Sequence, residues 1–338
     1  MSNVTQIRGL NISQCIGIAL EQEMSRDERV VVLGEDVGAL GGVFGTTRRL
    51  QRLFGDRRVR DTPISEMAFT GMGVGLAMAG WRPVVEIMFA DFIGVCLEQI
   101  YNAMAKNHYM SGGTVRIPMV LKTAGGCIGS AAQHSQCLWG TLAHLPGMKV
   151  VAPWTPYDHK GLMAAAVESD DPVVYIEHKS LMRHKAESFP IGFEVPEERY
   201  TVPIGQAQVV RRGGDLTLAT ISATVGHSMT AAEALAGEGI DVEVIDLRSV
   251  VPLDAETVAA SVARTGRLLV VDEDYLSFGL SGEVVTRVME LLGPSALKAV
   301  KRHAVPDVPI PAALTLEKVV VPSVASISGA IRAIARAS

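Results

Sequence analysis

The sequence predicts an α/β protein with two domains, each built around a mainly parallel sheet. Apolar runs rich in valine and isoleucine alternate with longer segments of helical period, the pattern of a parallel sheet covered by helices. The chain has 338 residues, more than one ordinary domain needs. The alternation lapses in a stretch bearing proline, glutamate and glycine and then begins again. We therefore predict a first domain over 5–188, a linker over 189–203 and a second domain over 204–338.

The first half contains five predicted strands separated by helical segments. The strands are the apolar runs 30–33, 84–88, 119–122, 149–152 and 173–177. The helices are predicted over 12–24, 67–79, 92–109 and 157–167. This spacing is typical of βα units, in which a helix connects two parallel strands.

The second half repeats the same alternation after the predicted linker. Its strands are predicted over 216–221, 242–247 and 268–272, and its helices over 225–237, 255–264 and 282–292. The closing segment, 323–337, is a predicted helix with arginines near its C-terminal end, where they complement the helix dipole.

Composition excludes several classes of protein. The chain is 48% hydrophobic and 20% charged, as soluble globular proteins are, and its net charge of -5 provides no basic face for nucleic acid. No run of about 18 apolar residues occurs and the N-terminus lacks a signal-peptide core, so we expect no membrane association and a cytoplasmic location. The four cysteines form no C-x-x-C pair, which argues against a disulfide framework and a structural metal.

The most informative motif is DTPISE at 61–66, which ends on Glu66 and precedes a segment of small and apolar residues. A carboxylate there either stabilises the helix dipole or is held away from water, where it can act in acid–base chemistry. The helix behind it contains several glycines, although each interior glycine costs about 1 kcal/mol relative to alanine. These glycines do not complete a G-x-G-x-x-G motif, which favours close packing of another backbone over direct phosphate binding.

Two other polar groups follow predicted strands. His134 lies in AAQHSQ at 131–136, after a glycine-rich loop and beyond a strand's carboxyl end, where α/β sheets usually hold their active sites. From its spacing alone, a structural histidine is the more frequent interpretation, and catalysis is the alternative. Glu35 lies in GEDV at 34–37, just after the first strand, where a solvated loop acid is the simpler interpretation.

Several motifs together resemble the beta subunit of the thiamine-diphosphate-dependent 2-oxo acid dehydrogenases, of the pyruvate and acetoin type. The first half carries GEDV, DTPISE, EIMFADF at 86–92, YMSGG at 109–113, AAQHSQ and GMKVVAPWTPYDHKGL at 147–162. The second half, with PIGQAQVVRRGGDLTLAT, VEVIDLRSVVPLD and TGRLLVVDE, is similar to the transketolase C-terminal domain of that family. The resemblance implies a pyrimidine-type thiamine-diphosphate domain followed by a transketolase C-terminal-like domain.

The resemblance also implies roles for five residues. Glu66 would accept a hydrogen bond from a ring nitrogen of the cofactor's aminopyrimidine, and Met88 and Phe92 would pack on or beside that ring. His134 would face the substrate and help with proton transfer or with the incoming lipoyl group. Glu35 would belong to an acidic path between two active sites.

An absent motif shapes the expected assembly. Thiamine-diphosphate enzymes hold the diphosphate and magnesium with a Gly-Asp-Gly sequence and a later asparagine, and no Gly-Asp-Gly occurs in this chain. In the family this half of the site lies on a separate alpha subunit. The resemblance therefore implies an assembly of two alpha and two beta subunits, with the cofactor shared between chains, and a chain that is inactive alone. A dihydrolipoamide acyltransferase core would be a further partner, bound with the help of the second domain.

The family's beta subunit also binds potassium, largely through backbone carbonyls. The matching positions are Met119, Ala166, Val167, Ser169 and Asp171. The chain departs from the family at Ser169, where an aspartate is frequent, so Asp170 could replace it or the site could be empty.

The activity implied is oxidative decarboxylation of a 2-oxo acid, pyruvate or alternatively acetoin cleavage, with acyl transfer to lipoamide. Two alternatives stay open. A transketolase-like or deoxyxylulose-phosphate-synthase-like carboligase shares these domains but would need an additional domain carrying Gly-Asp-Gly. A non-catalytic assembly subunit would keep the fold without the chemistry, although the presence of Glu66 and His134 speaks against it.

Overall fold

A computed structural model describes residues 6–7, 9–192 and 194–336 of the chain. The packing divides the chain into two compact units. The first comprises the residues up to Gly125 together with Leu142–Ile204, and the second comprises Gly126–Thr141 and the residues from Gly205 onward. These units are defined by packing, and the domain boundaries predicted from the sequence stay a prediction.

The first unit contains a parallel sheet of six strands. Their order is β6-β7-β5-β4-β2-β3. A separate antiparallel pair joins β1 to β8. The strands are β1 (Gln6–Ile7), β2 (Val30–Gly34), β3 (Val59–Asp61), β4 (Arg82–Ile87), β5 (Val120–Gly125), β6 (Lys149–Val151), β7 (Val173–His178) and β8 (Val195–Pro196).

The central strands of this sheet are buried on both faces, which is why they read as continuous apolar runs in the sequence. All five predicted strands are present, with ends that differ by a few residues. In the sheet Gly34 is paired with Asp61 on one side and with Glu86 on the other. The loops that follow β2, β3 and β4 therefore leave the sheet side by side at its carboxyl edge.

Helices of the chain cover these strands and those of the second unit. The longest of the first unit, α1, begins after a capping box in which the Asn11 side chain accepts the Gln14 amide at 2.9 Å. The helices are α1 (Ile12–Arg26), α2 (Leu50–Phe54), α3 (Glu66–Met78), α4 (Ala105–Met110), α5 (Trp139–Ala143), α6 (Pro156–Glu168), α7 (Ala223–Ala236), α8 (Ala255–Thr265), α9 (Leu280–Leu292), α10 (Leu314–Val320) and α11 (Val324–Ala335).

The prediction of one α-helix over 92–109 is wrong. The segment consists of a 3₁₀-helix, Ala90–Cys96, a π-helical stretch, Gln99–Met104, and the short helix α4. Gly94 and its β-branched neighbours Ile93 and Val95 have low helix propensity, so the apolar period alone did not fix an α-helical hydrogen-bond pattern there.

The second unit contains a five-stranded sheet in the order β14-β13-β10-β11-β9. Its strands are parallel except β9, which pairs antiparallel with β11. The strands of this half are β9 (Gln208–Arg211), β10 (Leu216–Thr220), β11 (Val242–Asp246), β12 (Ser249–Val251), β13 (Arg267–Tyr275) and β14 (Ala299–Val305). The α/β class predicted from the sequence is confirmed.

The C-terminal helices form the one helical stretch among the described residues to be compared with a membrane span. Among the described residues, the stretch Leu314–Ala335 is long and apolar enough to cross a membrane by length and composition, with a mean hydropathy of 1.4. It consists of α10 and α11, which Pro322 separates, and neither approaches the roughly 20 residues that a span requires. Ala337, the last residue of the predicted closing helix, lies outside the described residues.

Candidate active site

Glu66 is the first residue of α3 and lies half-buried at the helix N-terminus. The chain reaches Glu66 from β3. Just after β3, the Thr62 amide donates a hydrogen bond to the carbonyl of Gly34, the last residue of β2, at 3.0 Å. A helix N-terminus is a position where acidic side chains are common. The side chain of the preceding Ser65 makes no capping hydrogen bond to α3. Glu66 is therefore held by backbone geometry at the carboxyl edge of the sheet.

Glu35 lies beside it in an unusual environment. The side chain is buried, and its Oε1 has no hydrogen-bond partner within the described part of the chain. Burial raises the pKa of the Glu35 carboxyl, and the charges of Glu66 and Asp36 raise it further. The two carboxyl groups thus interact electrostatically, and Glu35 carries a polar atom that the described chain leaves unsatisfied. Such an atom can be satisfied by an ordered water or by a bound group.

The turn after β2 requires glycine where it passes the next strand. Gly34 has a φ of 155°, and a Cβ built on it would lie 2.6 Å from the Glu86 carbonyl oxygen. Asp36 has a φ of 57°, in the left-handed region. The backbones of Gly34 and Glu86 therefore approach closely where the chain leaves β2.

Met88 and Phe92 follow β4 at the same edge. Met88 is half-buried directly after the strand, and Phe92 is half-buried in the 3₁₀-helix Ala90–Cys96. The Phe92 ring meets the Phe89 ring edge to face, with 5.5 Å between centroids. Burial raises the pKa of the nearby Cys96 thiol to about 11, with the Glu66 charge among the smaller causes. The sheet therefore brings Glu66, Glu35 and these apolar side chains to one edge.

His134 belongs to a different compact unit from those four residues. It is half-buried in a turn of the segment Gly126–Thr141, where its amide donates to the Ala131 carbonyl at 3.4 Å. Ala131 has a φ of 60°, so the turn passes through the left-handed region without a glycine. The sequence prediction placed His134 after a strand's carboxyl end, and β5 does end at Gly125.

Three of the five positions predicted for potassium already bond side-chain cations. The five positions are Met119, Ala166, Val167, Ser169 and Asp171. Arg82 donates to the carbonyl oxygens of Val167 and Ser169, each at 3.0 Å. Lys149 Nζ lies 3.1 Å from Ser169 Oγ and 3.0 Å from Asp171 Oδ2. This arrangement fits a further cation poorly because two positive groups occupy these oxygens. Potassium binding at these positions stays a prediction.

A buried charge cluster in the sheet of the first unit was not predicted from the sequence. Lys122 Nζ lies 3.0 Å from Glu86 Oε2 and 3.0 Å from Glu177 Oε1, and all three side chains are buried. Burial raises the pKa of Glu177 to about 7, although Lys122 opposes the shift. The available signal was one charged residue within each of three predicted strands that are otherwise apolar.

Comparisons with known proteins agree across the chain. The transketolase pyrimidine-binding domain matches residues 8–185, and the transketolase C-terminal domain matches residues 205–327. The beta subunit of an acetoin:2,6-dichlorophenolindophenol oxidoreductase from Cupriavidus necator is 41% identical over 336 residues, covering 96% of this chain and 97% of that protein. The mitochondrial pyruvate dehydrogenase E1 component subunit beta-1 of Arabidopsis thaliana is 42% identical, covering 94% and 87%.

Two further matches extend this result. The pyruvate dehydrogenase E1 component subunit beta of Rickettsia felis is 39% identical, covering 96% of this chain and 97% of that protein. A solved structure described as a split gene transketolase, inactive beta4 tetramer, has a TM-score of 0.78 over 97% of this chain and 99% of that chain. At 22% identity, this structure supports the fold alone.

Proposed function

Because the chain belongs to the family of beta subunits of the pyruvate and acetoin dehydrogenase E1 type, we propose that it is half of a thiamine-diphosphate-dependent decarboxylase. The reaction is oxidative decarboxylation of a 2-oxo acid, pyruvate in the first place or acetoin cleavage in the second, with acyl transfer to lipoamide. The observation that carries the proposal is Glu66 at the start of α3, near the buried Glu35, whose Oε1 has no hydrogen-bond partner among the described residues.

The residues at this edge suit the aminopyrimidine half of the cofactor. When bound, thiamine diphosphate supplies the electron sink for decarboxylation, and the protein supplies orientation and a dry pocket. Glu66 accepts the hydrogen bond of a ring nitrogen and holds the proton shared with it. Met88 and Phe92 offer apolar surface beside the ring. The pKa of the Glu35 carboxyl is raised by burial and then by the nearby Glu66 charge.

Histidine chemistry completes the proposal. A neutral imidazole near neutral pH can both accept and donate a proton, which suits His134 to proton transfer with the substrate or with the incoming lipoyl thiol. We assign His134 this role by the family match, and its turn exposes part of the ring. The acyltransferase core that carries the lipoyl group is part of the same proposal.

The diphosphate half of the site is proposed to lie on an alpha subunit. Magnesium requires oxygen ligands in near-octahedral array, and this chain lacks the Gly-Asp-Gly sequence that supplies them in related enzymes. An assembly of two alpha and two beta subunits would bring the halves together. Within the first unit, α3 and its surroundings present exposed apolar side chains suited to such a contact: Ile64, Met67, Met72, Met78 and Trp81.

The glycines of α3 divide between two roles. Gly73 faces the sheet, where a Cβ would lie 2.5 Å from a Val85 methyl group. Gly75 is exposed, and a Cβ on it would meet nothing within 4 Å in the described chain. Close packing inside the unit explains Gly73, and the approach of a partner chain explains Gly75.

The decisive experiment is turnover of the reconstituted alpha–beta complex with pyruvate, acetoin and branched-chain 2-oxo acids. Glu66→Gln should reduce turnover by about 10²–10⁴-fold, the usual contribution of a positioned acid–base group. Glu28→Gln is the matched control, an exposed carboxylate of the same unit that should leave turnover unchanged. Unchanged turnover in Glu66→Gln would remove Glu66 from the mechanism.

Two further measurements test the divided cofactor site and the predicted potassium site. The purified chain with thiamine diphosphate and magnesium but no alpha subunit should be inactive, and decarboxylation by this preparation would contradict the divided site. If potassium binds at the predicted positions, the midpoint of thermal unfolding is higher in potassium than in tetramethylammonium at equal ionic strength. Equal midpoints would eliminate the predicted potassium site.

A further inference from the structure

The segment Gly126–Thr141, which carries His134, has little regular structure of its own. It passes through bends and a turn before α5 begins at Trp139. Backbone amides in irregular chain, and those in the first turn of a helix such as Gly140 of α5, have no acceptor within a helix or sheet ladder and need partners elsewhere. Three of these amides bind carboxylates that come from distant parts of the second unit.

Glu273 holds the beginning of the segment. Its Oε1 accepts the Cys127 amide at 2.7 Å. Glu273 is buried on β13, which lies between β10 and β14 in the sheet of the second unit. A carboxylate on a central strand is fixed by the sheet and therefore provides a rigid attachment point.

The neighbouring Asp274 holds the end of the segment. Its Oδ2 accepts the Gly140 amide at 2.8 Å, while its Oδ1 accepts the Tyr275 amide at 2.8 Å. A Cβ on Gly140 would lie 2.7 Å from Asp274 Oδ2 and 3.0 Å from the Phe278 carbonyl oxygen. The bond thus depends on a glycine that lets the two backbones approach closely.

Glu317 of α10 holds a third point. Both of its carboxylate oxygens accept the Gly129 amide, at 3.0 and 2.9 Å. Gly129 has a φ of 80°, and a Cβ there would lie 2.6 Å from a Leu314 methyl group. Glu317 is buried, so water competes little for this bond.

These attachments bracket His134 on both sides. Cys127 and Gly129 are held before it and Gly140 after it, each by a buried carboxylate of the second unit. We propose that Glu273, Asp274 and Glu317 are positioning residues, which fix the turn at His134 for catalysis without touching substrate. This inference rests on the proposed role of His134. Charge-assisted hydrogen bonds to amides are among the stronger ones, so losing one should loosen the turn.

The test uses shape-preserving variants, Glu317→Gln and Asp274→Asn, in the complete alpha–beta complex. Each should reduce kcat by about 10–100-fold, because a misplacement near 1 Å costs a comparable factor. KM for the 2-oxo acid should change much less. Hydrogen exchange should accelerate at the Gly129 amide in the first variant and at the Gly140 amide in the second. Glu283→Gln, an exposed carboxylate of the same unit, is the control and should change neither readout.

A double-substitution cycle separates positioning from general loosening. If the carboxylates act through His134, then Glu317→Gln should slow the His134→Ala complex little or not at all. Glu317→Asp should restore part of the turnover because it keeps the charge. Thermal unfolding checks that each variant folds and assembles, and the two variants loosen different ends of the segment, so one failure to fold leaves the other test intact.

Three results would overturn the inference. The first is faster amide exchange in the variants with unchanged turnover. The second is that Glu317→Gln and His134→Ala lower turnover additively. The third is that the His134→Ala complex turns over at the wild-type rate. Absence of turnover in the wild-type complex would count against the proposed function instead. Exchange at the Gly129 and Gly140 amides would then still decide whether the carboxylates hold the segment.

Discussion

The buried charge cluster of the first unit allows a sharp prediction for Lys122→Met. Lys122 is 1% exposed, and its ammonium bonds two buried carboxylates, Glu86 and Glu177, each at 3.0 Å. Removing one partner of a buried ion pair typically costs about 3–5 kcal/mol because an uncompensated charge stays inside. The first unit has the size at which 1 kcal/mol shifts the unfolding midpoint by about 2–4 °C. The expected loss is therefore about 6–20 °C.

The pH dependence of this loss can also be predicted. With Lys122 present, burial already raises the pKa of Glu177 from its ordinary value of 4.5 to about 7. A raised carboxyl pKa means that the folded state binds this proton more tightly than the unfolded state does. The stability gained from the bound proton is therefore lost as pH rises through the folded-state pKa of about 7. Lys122→Met removes the opposing charge and raises the pKa further. The fall in unfolding midpoint of Lys122→Met relative to wild type should be larger at pH 8 than at pH 5.

Scanning calorimetry of the purified variants at both pH values measures these shifts. The matched control is Lys149→Met, which removes a half-exposed lysine 3.0 Å from Asp171 and should cost about 1 kcal/mol or less. Replacing Glu86 and Glu177 by methionine together with Lys122 should recover much of the stability. A Lys122→Met deficit no larger than the control's, or one that does not change with pH, would refute the reasoning.

Three other predictions concern packing, thiols and protonation. Gly73→Ala should lower the unfolding free energy by about 1–3 kcal/mol through overpacking against Val85. Gly75→Ala should raise the unfolding free energy of the isolated chain by about 0.5–1 kcal/mol. Urea unfolding measures both changes, and equal effects of the two substitutions would contradict the division of roles. A thiol reagent at pH 8 should react quickly with Cys127 only, because the other three thiols are buried and their pKa is raised. The pKa is raised to about 12 for Cys15 and to about 11 for Cys96. Fast reaction of more than one thiol per chain would contradict this prediction. Burial, with the Asp274 charge second, raises the pKa of Asp272 from 3.8 to about 8. Wild-type stability should therefore fall relative to Asp272→Asn between about pH 4 and 8, and a constant difference in midpoint across that range would count against the shift.

The regular elements that the sequence predicted well are those whose local pattern has one interpretation. Central strands such as Val120–Gly125 and Val242–Asp246 are buried on both faces, so their apolar runs were sufficient. The strand Ala299–Val305 was missed because it lies at a sheet edge, where exposed Lys301 and Arg302 interrupt the apolar run. The three-residue strand Val59–Asp61 was too short to produce a signal.

Site residues divide in a similar way. Glu66 could be singled out because a carboxylate before a small, apolar helix is visible in one stretch of sequence, and the family resemblance supplied its proposed role. The environment of Glu35 was not visible. In the sequence it is a loop acid, and its burial follows from the order of β2, β3 and β4 in the sheet.

By itself the sequence determined the α/β class, the main elements and the family, because these depend on local periodicity and on motifs that stand in one run of residues. Only the tertiary structure decided which carboxylates interact with which groups. Glu273 and Glu317 reach the segment around His134 from 146 and 188 residues away in the chain, and Lys122 meets Glu177 across 55 residues. Such pairings depend on strand order and on side-chain direction in the folded core, which no local pattern encodes.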